Sequence, residues 1–311
     1  MKGKAKTVKK RHDFKWWRNL IIKIAIYFVL ICVGFIYLEP IFEIIAKTFM
    51  SPDDIVDPYV TWVPKTFSLN NLSVASQVMK LGSTLRNTIL WAGGLALAQT
   101  LVSALTGYAL SRYEFKFKNF WFVMIILAFI IPTPVTMIPR LMMFVTAQDT
   151  LSIQLIGTAI PQASMAILGQ GIYSTILILI FYTAFNLIPR VLDEAAQIDG
   201  ASSMKIFWFI VVKMSASTIL VVFLFSFVWN WNETYITGTL LRNNIELMPT
   251  KLNMFNSEFG NLVSAQGGAF RLNKAYKMAA TLISISPLLL LYLFVQKQFI
   301  QGIENTGITG E

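Results

Sequence analysis

Apolar residues in this chain gather into long runs instead of alternating, and those runs set the expected architecture. A helix of about 20 apolar residues crosses the hydrocarbon layer of a bilayer. Six stretches reach that length: 20–38, 88–110, 120–145, 153–185, 217–239 and 275–295. The fourth is longer than one straight crossing requires. The first ends Tyr37-Leu38-Glu39-Pro40 with no small-residue cleavage site, so a retained helix is expected, not a signal peptide. Six crossings place both termini on one side. The expected organisation is a basic tail at 1–18, unstructured or lying on the lipid, then a first transmembrane helix at 19–46. An extracytoplasmic segment at 47–83 precedes a five-helix core at 84–300, with a cytoplasmic loop at 186–213, and 301–311 forms a C-terminal tail. No inverted internal repeat of the secondary-transporter kind is visible.

Interruptions in these runs carry the next layer of information. Pro132, Pro134 and Pro139 fall inside the third run. Each proline removes a backbone donor and clashes with the preceding turn, so this helix must kink or break. Irregular backbone at membrane depth persists only against protein or a water-filled cavity. The kink serves either packing alone or the lining and gating of a pore. The fifth run ends with Trp229, Asn230, Trp231, Asn232, Glu233 and Tyr235. Polar groups in a span face the bundle interior, and an indole face suits the apolar face of a pyranose. Trp229, Asn230, Asn232 and Glu233 are therefore pathway candidates. The alternative is the external end of the helix, with Trp231 and Tyr235 in an interfacial belt. Gln99, Thr100, Gln162 and Ser164 are expected to hydrogen-bond between helices. Gly93-Gly94 and Gly169-Gln170-Gly171 suggest close helix packing.

Composition agrees with the runs: 55% of the 311 residues are hydrophobic and 14% charged, which excludes an ordinary soluble domain. Charge sets the orientation. The first 23 residues carry nine cations against Asp13, and Arg112, Lys116 and Lys118 follow the second run against Glu114. The segment after the first run holds Asp53, Asp54 and Asp57. Cation bias therefore puts the N-terminus, 111–118, 186–213 and the C-terminus in the cytoplasm. Juxtamembrane cations beside anionic lipid account for the net charge of +10, and no nucleic-acid partner is expected. Trp16 and Trp17 sit where an interfacial belt belongs. Cys32 is the one cysteine and His12 the one histidine, in the tail. No catalytic residue, no metal set and no aspartate pair within a span is found, which argues against an intramembrane hydrolase.

The loop at 186–213 has a distinct design. Pro189 suits a first helical position, and Ile188, Val191, Leu192, Ala195 and Ile198 recur at helical spacing as one apolar face. Asp193 and Glu194 fall near the positive end of the helix dipole, and Gly200 is placed to end the helix in a left-handed conformation. Ser202 can cap a second helix through Met204, Ile206, Phe207 and Phe209. Such a hairpin either docks a soluble partner or rests on the bilayer surface.

Glu194-Ala195-Ala196, with Gly200 after three residues and Ile210 after nine more, resembles the EAA loop of binding-protein-dependent ABC importer permeases. Ile188-Pro189…Glu194-Ala195-Ala196-Gln197-Ile198-Asp199-Gly200-Ala201 is similar to the carbohydrate branch, specifically the maltose-type second permease subunit. Arg86-Asn87-Thr88, Gly107-Tyr108-Ala109-Leu110-Ser111-Arg112, Trp229-Asn230 and a tail near Gly307–Gly310 extend the resemblance over about 84–311. It implies an all-α membrane protein of six transmembrane helices, a type I ABC importer fold with a cytoplasmic EAA coupling helix. Glu194, Ala195, Ala196, Asp199, Gly200 and Ala201 would then contact an ATPase. The implied partners are a second homologous permease, two ABC ATPases, an extracytoplasmic sugar-binding protein and membrane lipids. The segments 39–84 and 242–273, the latter with Asn243-Asn244 and Gln266-Gly267-Gly268, would form a platform for that binding protein or plain connectors. The chain has no Gly-x-x-x-x-Gly-Lys-Ser/Thr loop, its Gly-Lys pair being Gly3-Lys4, so it is no ATPase itself and ATP and Mg belong to the partner ATPase. The family motif ends in a proline where this chain has Lys213, and a smoother passage into the fifth span is expected. Half of an ion-gradient-driven secondary transporter, which has no reason to carry the hairpin, and a non-transporting scaffold remain as alternatives.

Overall fold

The computed structural model describes residues 4–242, 244–265 and 274–305; the side chains of 4–15, 265 and 298–305 lie outside that description. Asn243, Gln266–Gly268 and the tail near Gly307–Gly310 therefore fall outside it, as does the side chain of His12. Contacts divide the chain into two units, one of 1–75 with 273–282 and the other of 76–272 with 283–311.

In the first unit, α1 (Lys4–Phe49) runs as one helix through Pro40. The basic tail is thus helical from Lys4, not unstructured. Its apolar residues point outward, Phe28 and Ile31 among them, as a helix bathed in lipid requires. Beyond it, α2 (Pro52–Val56) is capped by the Ser51 hydroxyl, which accepts from the Asp54 N–H. Phe67 stacks on Phe49 at 4.8 Å, and the buried Asn71 amide donates to the carbonyls of Thr48 and Met50. Asp54 accepts the Thr66 N–H at 3.0 Å, and this bond holds its carboxyl below the usual range. The connector after α1 is therefore partly ordered by buried polar groups. Next, α3 (Asn70–Val78) leads into the second unit.

The second unit is organised around α4 (Leu81–Arg112). Its buried face reads Ala92, Ala96, Gln99, Ser103, Ala104, Gly107 and Tyr108. Small residues there admit neighbouring backbones closely. A Cβ added to Gly107 would lie 2.7 Å from Phe181 Cβ and 3.0 Å from the Tyr182 nitrogen. After α5 (Lys118–Ile130) the chain turns 103° into α6 (Thr133–Leu151). The turn falls at Pro132, whose ψ of 138° is extended, while Pro139 is carried inside α6. The long fourth run is two helices, α7 (Ile160–Ile167) and α8 (Ser174–Asn186), with an irregular stretch between them. The hairpin comprises α9 (Arg190–Ile198) and α10 (Ser203–Ile206), the latter continuing as a π-helical turn at Phe207–Val211 and α11 (Val212–Met214). Then follow α12 (Ala216–Asn232), α13 (Tyr235–Leu241), α14 (Met248–Asn253) and α15 (Phe255–Ala265), whereas α16 (Lys274–Asn305) belongs to the first unit up to Leu282 and to the second from Ile283. Three helices are long and apolar enough to cross a bilayer alone, and three bent pairs raise the number to six if each pair is one crossing.

Among the described residues, two apolar clusters pack this unit. Tyr108, Phe181, Phe185, Phe207, Val211 and Val222 join α4, α8, the π turn and α12. Met137, Phe144, Met165, Ile236 and Leu240 join α6, α7 and α13. Outside the bilayer-spanning helices, Lys251 is buried between Glu246 and Glu258 at 3.0 Å each, and Glu246 also meets Lys80 at 2.7 Å.

Candidate functional site

Three spans lose their helical backbone at one level. Counted from the end nearest the hairpin, α5 and α8 each run 13 residues and α12 runs 17. At 1.5 Å per residue the breaks fall about 20, 20 and 25 Å from that end, inside a hydrocarbon layer of about 30 Å. A cavity of about 500 Å³ opens there, lined by residues from all three breaks, among them Thr133, Arg140, Gln170, Tyr173, Trp229 and Glu233. This is the setting in which backbone groups freed from helices can meet water.

Trp229 and Asn232 join Glu233 on the cavity wall. Trp229 is held edge-on by Tyr173 at 4.9 Å and stacked on Phe225 at 5.4 Å. Glu233 caps α13: Oε1 accepts the Ile236 N–H at 2.7 Å, and Oε2 accepts the Thr237 N–H at 2.8 Å and its hydroxyl at 2.9 Å. Asn230 is buried instead against α4, where its amide donates to Gln99 Oε1 at 2.9 Å and Ser226 donates to the same oxygen. Gln162 donates to Thr237 Oγ1 at 3.0 Å. Gln99 and Gln162 thus join helices, whereas Ser164 bonds back to Pro161 in its own helix. Trp231 is 1% exposed, so the interfacial-belt alternative fails for it: its ring packs inward against Phe227. The glycines divide by cause. Gly94 has no atom within 4 Å of a built Cβ and is not a close-packing site. Gly169 adopts φ +72°, and a Cβ on Gly171 would fall 1.7 Å from Gln99 Nε2. Arg140 was the missed residue, although a lone cation inside an apolar run is itself a signal.

The hairpin forms the second feature. Pro189 stands one place earlier than expected, as the N-cap of α9. Gly200 has φ +78° and ends the helix as anticipated. Ser202 occupies the N-cap of α10 without a side-chain capping bond. Glu194, Ala195 and Asp199 are exposed, while Ala196 and Ala201 pack on the aromatic cluster. The apolar face is split: Ile188 is buried, but Val191 and Ile198 are 69% and 87% exposed. An ion pair anchors the hairpin, Arg112 Nε lying 2.9 Å from Asp193 Oδ2 with side chains 5% and 11% exposed. Arg112 also donates to the Ile188 carbonyl at 3.0 Å, and Arg190 to the Ser111 carbonyl at 3.3 Å. The expected smooth run past Lys213 does not occur. The chain bends 84° at Ser215, whose φ and ψ of −106° and 23° are non-helical. Burial of Val211 and Val222 on one cluster fixes the bend without proline.

Three broken spans around one cavity, with an anchored and exposed helical elbow at their opposite end, suit a transport subunit. A family model, binding-protein-dependent transport system inner membrane component, matches residues 99–305, more than half of the chain. The chain belongs to that family; it is a membrane-integral subunit of a transport complex. It is 24% identical to the arabinooligosaccharides transport system permease protein of Halalkalibacterium halodurans, over 89% of this chain and 93% of that one. It is 28% identical to the melibiose/raffinose/stachyose import permease protein of Bacillus subtilis, over 80% and 84% respectively. A bacterial ABC transporter involved in the import of the acidic polysaccharide alginate shares its fold, with a TM-score of 0.73 and 18% identity, covering 91% of this chain and 98% of that one.

Proposed function

We propose that this chain is one permease of an ATP-driven importer of carbohydrate, working with a second homologous permease, two ABC ATPases and an extracytoplasmic sugar-binding protein. The ATPases bind ATP and Mg and seat α9 through Glu194, Ala195, Ala196, Asp199, Gly200 and Ala201. Closing of the ATPase pair then moves the hairpin, and Arg112 transmits that movement to α4. Both termini and the hairpin face the cytoplasm, in keeping with the cation bias. Trp229, Asn232 and Glu233 line the sugar path. Asn230 supports that path through Gln99. The break at Pro132, assisted by Pro134 and Pro139, gives the path its gate. Carbohydrate is supported by the names of the two relatives and by the aromatic wall of the cavity.

The observation that carries this reading is the exposed apolar face of α9. Full burial of side chains such as Val191 and Ile198 stabilises a contact by roughly 1.5–3 kcal/mol each, and the chain itself leaves them uncovered. Ile198→Asp is expected to keep the second permease bound while the ATPases dissociate and uptake stops. Unchanged ATPase retention and uptake in the assembled Ile198→Asp complex would refute it.

A further inference from the structure

A cation lines the cavity, and among the described residues no carboxylate is paired with it. Arg140 lines the space at the bend between α5 and α6. Its hydrogen bond runs from Nη2 to the neutral Gln170 Oε1 at 3.1 Å, and no carboxylate among the described residues lies within ion-pair distance. A guanidinium carries five N–H donors in a planar fork, so most of its capacity is open. Charged groups at membrane depth are costly and persist where they have a partner or a task. Glu233 is the other charged side chain on the wall, and both its oxygens are committed to the start of α13. It keeps its charge, but both oxygens are held against α13 and it makes no ion pair with Arg140.

From this arrangement we infer that Arg140 reads a negative charge on the transported molecule, so that the cargo is a carbohydrate bearing a carboxylate or a phosphate. The inference rests on the carbohydrate-import function proposed above and narrows it. The fork of Arg140 matches the two oxygens of either group in parallel hydrogen bonds. Tyr173, half exposed and edge-on to Trp229, supplies an aromatic surface against which a sugar ring can lie. Gln170 takes one Nη2 donor, and no other hydrogen bond of the guanidinium is present among the described residues.

The test uses the complete complex with its binding protein in nanodiscs, reading ATPase stimulation by matched probes. These are neutral hexose oligomers, the uronate oligomers of the same rings, and the hexose 6-phosphates. An acidic probe is expected to stimulate the wild type, with the uronate and phosphate arms telling carboxylate from phosphate. Arg140→Gln should raise the half-maximal concentration roughly 10- to 100-fold, the worth of a charged hydrogen-bonded contact. Arg140→Lys should recover part of that loss. Equal stimulation of wild type and Arg140→Gln by a neutral probe overturns the inference and leaves carbohydrate import standing. Stimulation by no member of the panel removes the carbohydrate function and the inference together. Loss of the second permease from the Arg140→Gln complex, restored by Arg140→Lys, assigns the charge to a subunit contact and also overturns it.

Discussion

Neutralising Asp193 should loosen the hairpin without unfolding the helices beneath it. The Arg112–Asp193 pair is short, at 2.9 Å, and nearly sealed from water. Removing one member of a buried pair leaves the other charge uncompensated, which costs about 3–5 kcal/mol. What remains to seat α9 is the Arg112 bond to the Ile188 carbonyl, the Arg190 bond to Ser111, and apolar contacts of Ala196 and Ala201. A loss of about 3 kcal/mol shifts the seated-to-loose equilibrium by roughly 100-fold, since 1.4 kcal/mol is a factor of ten. Hydrogen exchange of the α9 amides in Asp193→Asn should therefore accelerate by that factor, with α4 and α8 protected as before. Coupled ATPase activity should fall with it. The double substitution Arg112→Met, Asp193→Leu removes both charges and should be less damaging than the sum of Arg112→Met and Asp193→Leu, a coupling of at least about 1 kcal/mol. Additive effects, or exchange within about threefold of wild type in Asp193→Asn, would show that the pair does not anchor the elbow.

Other outcomes follow from single positions. Gly107→Ala places a methyl 2.7 Å from Phe181 Cβ and 3.0 Å from the Tyr182 backbone, so α4 and α8 must separate; a cost of about 1–3 kcal/mol should lower the melting temperature of the solubilised complex by several degrees. At Gly200 no neighbour obstructs a side chain, and the obstacle is its φ of +78°. Gly200→Val should uncouple ATP hydrolysis from uptake, at a backbone cost of roughly 1–2 kcal/mol, whereas Gly200→Asn should retain most activity because asparagine tolerates that region. The Lys251 cluster makes the segment around α14 pH-sensitive only at the extremes. Hydrogen bonding from Lys80 and then Lys251 holds the Glu246 carboxyl below its ordinary 4.5, so its contribution is complete above that value and disappears as pH falls through the lowered value. Burial works against the charge of Lys251, but its bonds to Glu258 and Glu246 outweigh burial and raise it above 10.5; that contribution is complete below 10.5 and disappears as pH rises through the raised value. Proteolysis of 244–265 should accordingly stay flat across the neutral range and rise in strong acid and strong base.

The sequence alone determined the membrane class, the helical content and the hairpin, because each rests on local order. Apolar runs of bilayer length admit only a helix in this composition, and Gly200 could end α9 because a left-handed residue needs no distant partner. Pro132 announced its own break for the same reason. Tertiary structure decided everything that depends on two segments meeting. Asn230 and Asn232 are near-identical in sequence context, yet one binds Gln99 in the core and the other faces the cavity, since that choice depends on which side of α12 meets α4. The breaks before Ser174 and after Asn232 carry no proline; the length of the fourth run and the alternative helix end near Trp231 hinted at them, but only the packing of the helices brings them to one cavity with Pro132. Asp193 and Arg112 lie 81 positions apart, and the sequence offered one as a partner of a helix dipole and the other as an orienting cation. Only the fold joins them, because burial gives such a pair its strength, and burial is a property of the neighbours.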